Sequence, residues 1–107
     1  MEHRREKRFA SYAKVVLVET NNLGYLRDLN SLGCQIDFLE PPPIKPEDTV
    51  EVRIIPNEEL NLPNIDLFLS IRWMRQEDPF FSIGGAFAQI PEVHRDAYEG
   101  LLSYFRT

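Results

Sequence analysis

Two clusters in the first third of this 107-residue chain carry residue types suited to holding a ligand. At the start, His3-Arg4-Arg5-Glu6-Lys7-Arg8 sets Arg4 and Arg8 in Arg-x-x-x-Arg spacing. Further on, Asp28-Leu29-Asn30-Ser31-Leu32-Gly33 differs by one residue from Asp-x-Ser-x-x-Gly, with asparagine in the serine position. Arginine's planar fork meets two neighbouring acceptors at once and stacks on planar rings, whereas lysine offers only a point charge. In the turn, Asp28 accepts hydrogen bonds, Asn30 both donates and accepts, and Gly33 allows a close backbone approach. Cationic forks on an arm and a polar turn together suit a small anionic ligand caught at one place.

The charge distribution agrees. The net charge is −5, but residues 1–8 hold four basic side chains (Arg4, Arg5, Lys7, Arg8) against Glu2 and Glu6. That leaves 8 basic against 15 acidic groups in the rest of the chain, a balance of −7 on the body and +2 on the arm. Broad nucleic-acid binding wants an extended positive face, so no DNA or RNA partner is expected. Hydrophobic residues at 43% and charged residues at 27% are ordinary for a globular domain, and the length allows one domain. Nothing approaches the ~18 consecutive apolar residues of a membrane span, and no apolar stretch precedes Val15 as a secretory signal requires. The expected residence is cytoplasmic, without membrane insertion.

Catalytic and metal chemistry find no foothold. Cys34 is the single cysteine, which excludes an internal disulfide and a cysteine metal cluster; it reads as a small buried strand residue. His94 has no second ligand nearby, and Glu58-Glu59 sits in a Pro/Asn-rich loop as solvated surface. With no nucleotide-phosphate loop and no nucleophile–base pair, the chain is not expected to be an enzyme.

The elements that must position the two clusters are mostly strands. Ala13–Val18 is β-branched, and Asn21-Asn22-Leu23-Gly24 is a turn signal. Tyr25–Leu29 alternates loosely into the Asp28–Gly33 turn, and Cys34–Leu39 alternates as a half-buried strand. Pro41-Pro42-Pro43 is a stiff loop, because proline donates no ladder bond. Thr49–Ile55 resumes alternation, 56–64 is a connection, and Ile65–Met74 and Phe80–Phe87 are strands flanking the polar turn Arg75–Pro79. Trp73, Phe80, Phe81 and Phe87 read as core. Val93, Ala97, Leu101 and Tyr104 recur at helical spacing, so 92–105 is an amphipathic helix, weakened at Gly100 by about 1 kcal/mol relative to alanine. Six short strands and a terminal helix predict a small antiparallel β-barrel with the helix over one opening. The division is a single domain: arm 1–9, barrel 10–90, helix 91–107.

The arm, the turn and this all-β pattern together resemble the PilZ family, bacterial receptors for the second messenger cyclic di-GMP. Ile71-Arg72-Trp73 resembles that family's strand with a late tryptophan, and Ile83-Gly84-Gly85-Ala86-Phe87 its glycine-to-phenylalanine last strand. The resemblance implies a six-stranded antiparallel PilZ-type barrel capped by a C-terminal helix. It implies cyclic di-GMP as ligand, no cofactor, and Arg4, Arg8, Asp28, Asn30 and Gly33 as its binding residues. Arginine suits the guanine O6/N7 pair and the phosphates; Asp28 suits guanine N1–H and the N2 amino group. The output would be ordering of the arm and relay to a protein effector, in motility or biofilm regulation. The alternative is a degenerate PilZ domain that no longer binds nucleotide and acts as a protein-interaction module.

Overall fold

In the computed structural model, residues 12–106 are described. Arg4 and Arg8 lie outside them. Among the described residues, six strands run antiparallel: β1 (Ala13–Leu17), β2 (Leu23–Leu29), β3 (Gly33–Phe38), β4 (Thr49–Pro56), β5 (Ile65–Glu77) and β6 (Phe80–Gln89). They close into a barrel in the order β1-β2-β3-β6-β5-β4, with β4 pairing back onto β1. Closure leaves no free sheet edge. Helix α1 (Arg95–Arg106) follows a short 3₁₀ turn at Glu92–His94.

Alternation sorts the side chains as the pattern requires. Val15, Leu26, Ile36, Ile54, Leu67, Leu69, Ile71 and Ile83 point inward and are fully or almost fully buried. A barrel this small cannot cover its own ends, and α1 adds Ala97, Tyr98, Leu101 and Leu102 to the same core. Each buried Leu or Ile is worth roughly 1.5–3 kcal/mol by area removed from water. The helix therefore holds by its apolar face and not by propensity, which explains why it tolerates Gly100. That glycine also makes room: a Cβ there would sit 3.0 Å from Leu62 Cδ2.

The six-stranded barrel and the terminal helix agree with the sequence expectation, but two local readings do not. Asn21-Asn22-Leu23-Gly24 is not wholly a turn. Strand β2 already begins at Leu23, and Gly24 is buried in it, where a Cβ would meet Asp37 O, Ile36 and Phe38 at 2.9 Å. Only Asn21 takes the turn's left-handed backbone, φ 66°. The polar run Arg75–Glu77 is not a loop but ladder, pairing with Ser82, Phe81 and Phe80 and leaving Asp78-Pro79 as the hairpin tip. Its side chains are polar because this end of the β5–β6 ribbon extends beyond the core.

At Gly33 φ is not positive, so no special backbone shape demands glycine. A Cβ at Gly33 would instead lie 1.9 Å from the backbone oxygen of Gly85, where β3 and β6 meet. Backbone on both sides cannot give way as a flexible side chain would. Gly33→Ala is therefore expected to cost about 1–3 kcal/mol or more by overpacking, read as a lower urea midpoint at unchanged slope. Unchanged stability would show that the close approach does not restrict position 33.

Candidate functional site

The Asp28–Gly33 turn links β2 to β3 and is closed by its own polar groups. Asn30 N–H donates to the Gly33 carbonyl at 3.0 Å, leaving Ser31-Leu32 as the tip. Asn30 Oδ1 accepts from Leu32 N–H at 2.8 Å and from Gly33 N–H at 3.0 Å. A short polar side chain bonding its own backbone two and three residues on is what makes asparagine a turn residue. Asp28 Oδ1 accepts from Leu29 N–H at 2.9 Å. Asp28 and Asn30 both stay exposed, so the Asp28 carboxylate and the Asn30 amide nitrogen face solvent. Of the five residues singled out from sequence, Asp28, Asn30 and Gly33 thus come together; Arg4 and Arg8 lie outside the described residues.

Strand register extends this site across the barrel's outer surface. Asp28 pairs with Gln35, Gln35 with Gly84, and Gly84 with Trp73, one row over β2, β3, β6 and β5. Three strand spacings make that row about 14 Å long. Gly84 leaves the surface bare, and Trp73 occupies the space: a Cβ on Gly84 would fall 2.2 Å from the indole. The Arg75 guanidinium stacks over Trp73 at 4.0 Å from the ring centroid. Trp73 is therefore a surface ring laid on a glycine, not the core residue its type suggests. Phe87 packs against the core from its margin, while Phe80 and Phe81 are only half-buried.

The adjoining row is Tyr25, Asp37, Ser82 and Arg75. Asp37 is on the outer face yet only 6% exposed. Its carboxylate is satisfied by Ser82 Oγ at 2.6 Å and by Arg27 Nη1 at 3.1 Å. Arg27 also faces Glu77 at 3.5 Å, and Glu77 meets Arg75 Nε at 3.0 Å. Arg27 is the extra residue at the β2 bulge between Leu26 and Asp28, which lets it and Asp28 both face outward. Sequence reading missed Arg27, Gln35, Asp37 and Ser82. The alternation of Cys34–Leu39 put Asp37 on the outer face, but no local signal reported the bulge or the β3–β6 register.

Arg27 and Arg75 are offset by Asp37 and Glu77, and Asp28 adds one further negative charge. Lys14, opposite Tyr25 at the end of the adjoining row, and Arg72, the extra residue at the β5 bulge beside Trp73, are exposed as well, so this surface keeps two cations outside that ion-pair network. Beneath the turn, Cys34 is buried, and its thiol pKa is pushed up to about 12 by burial and then by the charge of Asp28.

Elsewhere, a cavity of about 300 Å³ opens among Leu17, Glu19, Thr20, Pro43, Ile44, Asp48, Thr49, Val50 and Glu51. Its three carboxylates disfavour an anion. Among the described residues, no group of three or more His, Cys, Asp or Glu is placed to hold a metal ion. No described helix is long and apolar enough to cross a membrane.

Comparison with known proteins fits this geometry. The PilZ domain family matches residues 2–103. No curated protein matches the chain. Among solved structures, the fold is similar to that of the Bacillus subtilis inhibitor of motility (MotI/DgrA), with a TM-score of 0.62 and 14% identity. That likeness covers 88% of this chain and 44% of the other, so the chain spans less than half of that structure's length.

The Cys34 environment gives a prediction with a definite sign. The folded chain keeps the thiol proton while the unfolded chain releases it near the ordinary value of 9.0. This contribution to stability is fully present below that pH and is lost as pH rises toward about 12. A urea-midpoint series should fall across that window, and Cys34→Ala or Cys34→Val should flatten the fall. A thiol reagent at pH 8 should label the unfolded chain and spare the folded one; rapid labelling of the folded chain would contradict the burial.

Proposed function

Because the chain belongs to the PilZ domain family, we propose that it is a receptor for cyclic di-GMP that relays the signal to a protein partner. The carrying observation is where the arm begins. Strand β1 runs antiparallel to β2 with Lys14 opposite Tyr25 and Val16 opposite Leu23. Continuing that register puts Tyr12, the root of the arm, level with Arg27 and beside Asp28. Arg8 is four residues from Tyr12, within a reach of about 14 Å. The described start of β1 and the Asp28 turn thus lie at one end of two neighbouring strands, which supports assigning both clusters to one ligand.

Chemistry assigns each part a task. Cyclic di-GMP carries two phosphodiester charges, and with Arg27 and Arg75 tied to carboxylates the surface around Asp28 leaves most of the balancing positive charge to be found elsewhere. The arm supplies it: Arg4 and Arg8 grip phosphate or the guanine O6/N7 edge. Asp28 accepts from guanine N1–H and the N2 amino group, since its oxygens retain lone pairs beyond the Leu29 bond. Asn30 spends its carbonyl oxygen on the turn and offers its amide nitrogen to the ligand, a task serine's single hydroxyl would combine with turn formation. Trp73 and the stacked Arg75 give the ligand's other base a flat floor at the far end of the row. Binding then orders the arm against the barrel, and the changed surface is what a partner reads.

Titration calorimetry with cyclic di-GMP, using Arg4→Ala/Arg8→Ala as control, tests this. Saturable heat that the double variant loses at unchanged melting temperature is the expected result, and the stoichiometry distinguishes one nucleotide from two. A folded protein at tens of micromolar that takes up no nucleotide would overturn the reading in favour of a protein-interaction module.

A further inference from the structure

We infer that Tyr98, on the C-terminal helix, is a positioning residue for the Asp28–Gly33 turn and thereby sets ligand affinity; its effect on affinity rests on the function proposed above. The turn projects from the barrel, with Leu32 at its tip 78% exposed. Its internal bonds from Asn30 fix its shape but not its attitude to the barrel. Two bonds from outside do that. Phe87 N–H, at the end of β6, donates to the Leu32 carbonyl at 2.9 Å. Tyr98 Oη donates to the Asn30 carbonyl at 3.2 Å, across 68 residues of chain.

The two clamps are themselves joined, because the Tyr98 ring stands edge-on to Phe87 with centroids 5.5 Å apart at 86°. Tyr98 is only 2% exposed, between buried Ala97 and the Leu101–Leu102 pair. The phenol is thus held by the core and cannot follow the turn if the turn swings away. An Asn30 carbonyl fixed from one side orients the side chain of the same residue, and with it the amide that faces solvent. The bond also joins the turn directly to α1. Any displacement of the turn by a bound ligand loads the helix, and a partner that pulls on the helix changes ligand affinity by the same factor.

The test is Tyr98→Phe, which keeps the ring on Phe87 and deletes only the hydroxyl, with Tyr104→Phe as the same deletion elsewhere on the helix. Amide hydrogen exchange on the ligand-free proteins comes first. Tyr98→Phe should speed exchange at Leu32 and Gly33 at least severalfold while core strand amides keep their protection; Tyr104→Phe should leave the turn as it is. Calorimetry should then show cyclic di-GMP affinity lower by about fivefold in Tyr98→Phe, the worth of one hydrogen bond of about 1 kcal/mol. Turn exchange identical to wild type in Tyr98→Phe would overturn the positioning role whether or not the protein binds nucleotide. Faster exchange with unchanged affinity would overturn the link to binding. A wild type that binds nothing, with the exchange difference intact, would remove the proposed ligand and leave Tyr98 as the clamp on the turn.

Discussion

The close approach of β3 and β6 governs the rest of this structure. Those strands are distant in sequence, and their pairing is one of the joins that closes the barrel. At the seam Gly33 lies against the Gly85 carbonyl with no room for a Cβ. That contact pulls the end of the β2–β3 turn onto β6, within reach of Phe87 N–H and, beyond it, Tyr98. Two residues further along, the same pairing sets Gln35 beside Gly84 and so opens the space that Trp73 covers. Further still it sets Asp37 against Ser82, the bond that lets a carboxylate be buried on an outer face. Turn, platform and buried carboxylate are three consequences of one seam.

Burying Asp37 is a specific choice. An unpaired carboxylate there would be strongly disfavoured, and even a neutral polar group without a partner costs about 1–3 kcal/mol. The serine hydroxyl and the arginine satisfy it, and in doing so hold Arg27 flat beside Asp28. Arg27 and Arg75 are consequently committed to internal partners, while Lys14 and Arg72 stay exposed on the same outer surface. The basic side chains of residues 1–8 contrast with this acidic body, which is why the proposed receptor role assigns ligand charge chiefly to the arm.

Much of this was legible in the residues. Period-two alternation gave the strands because the barrel has one inside and one outside, and the helical spacing of Ala97 and Leu101 gave the capping helix. The turn was legible because Asp, Asn and Gly have local chemistry that does not depend on distant partners. What the chain order hid was long-range: the bulge that turns Arg27 outward, the pairing of Asp37 with Ser82, and Tyr98 reaching back to Asn30. Trp73 was misread as core for the same reason, since its place depends on a glycine in the neighbouring strand. Gly33 announced a close backbone approach without saying against what, and the neighbour the described residues show is Gly85.

The central claim is that ligand meets this protein on the outer face running from the turn to Trp73. The most direct measurement is an ¹⁵N-resolved NMR titration of the protein with cyclic di-GMP. Binding on this face should give saturable shifts at Asp28 to Gly33, Gln35 and Gly84, and at the Trp73 indole N–H, with the strand amides of β4 little moved. Shifts clustered instead at the acidic cavity around Thr20, Ile44 and Thr49, or no shifts at all in a folded sample, would contradict it.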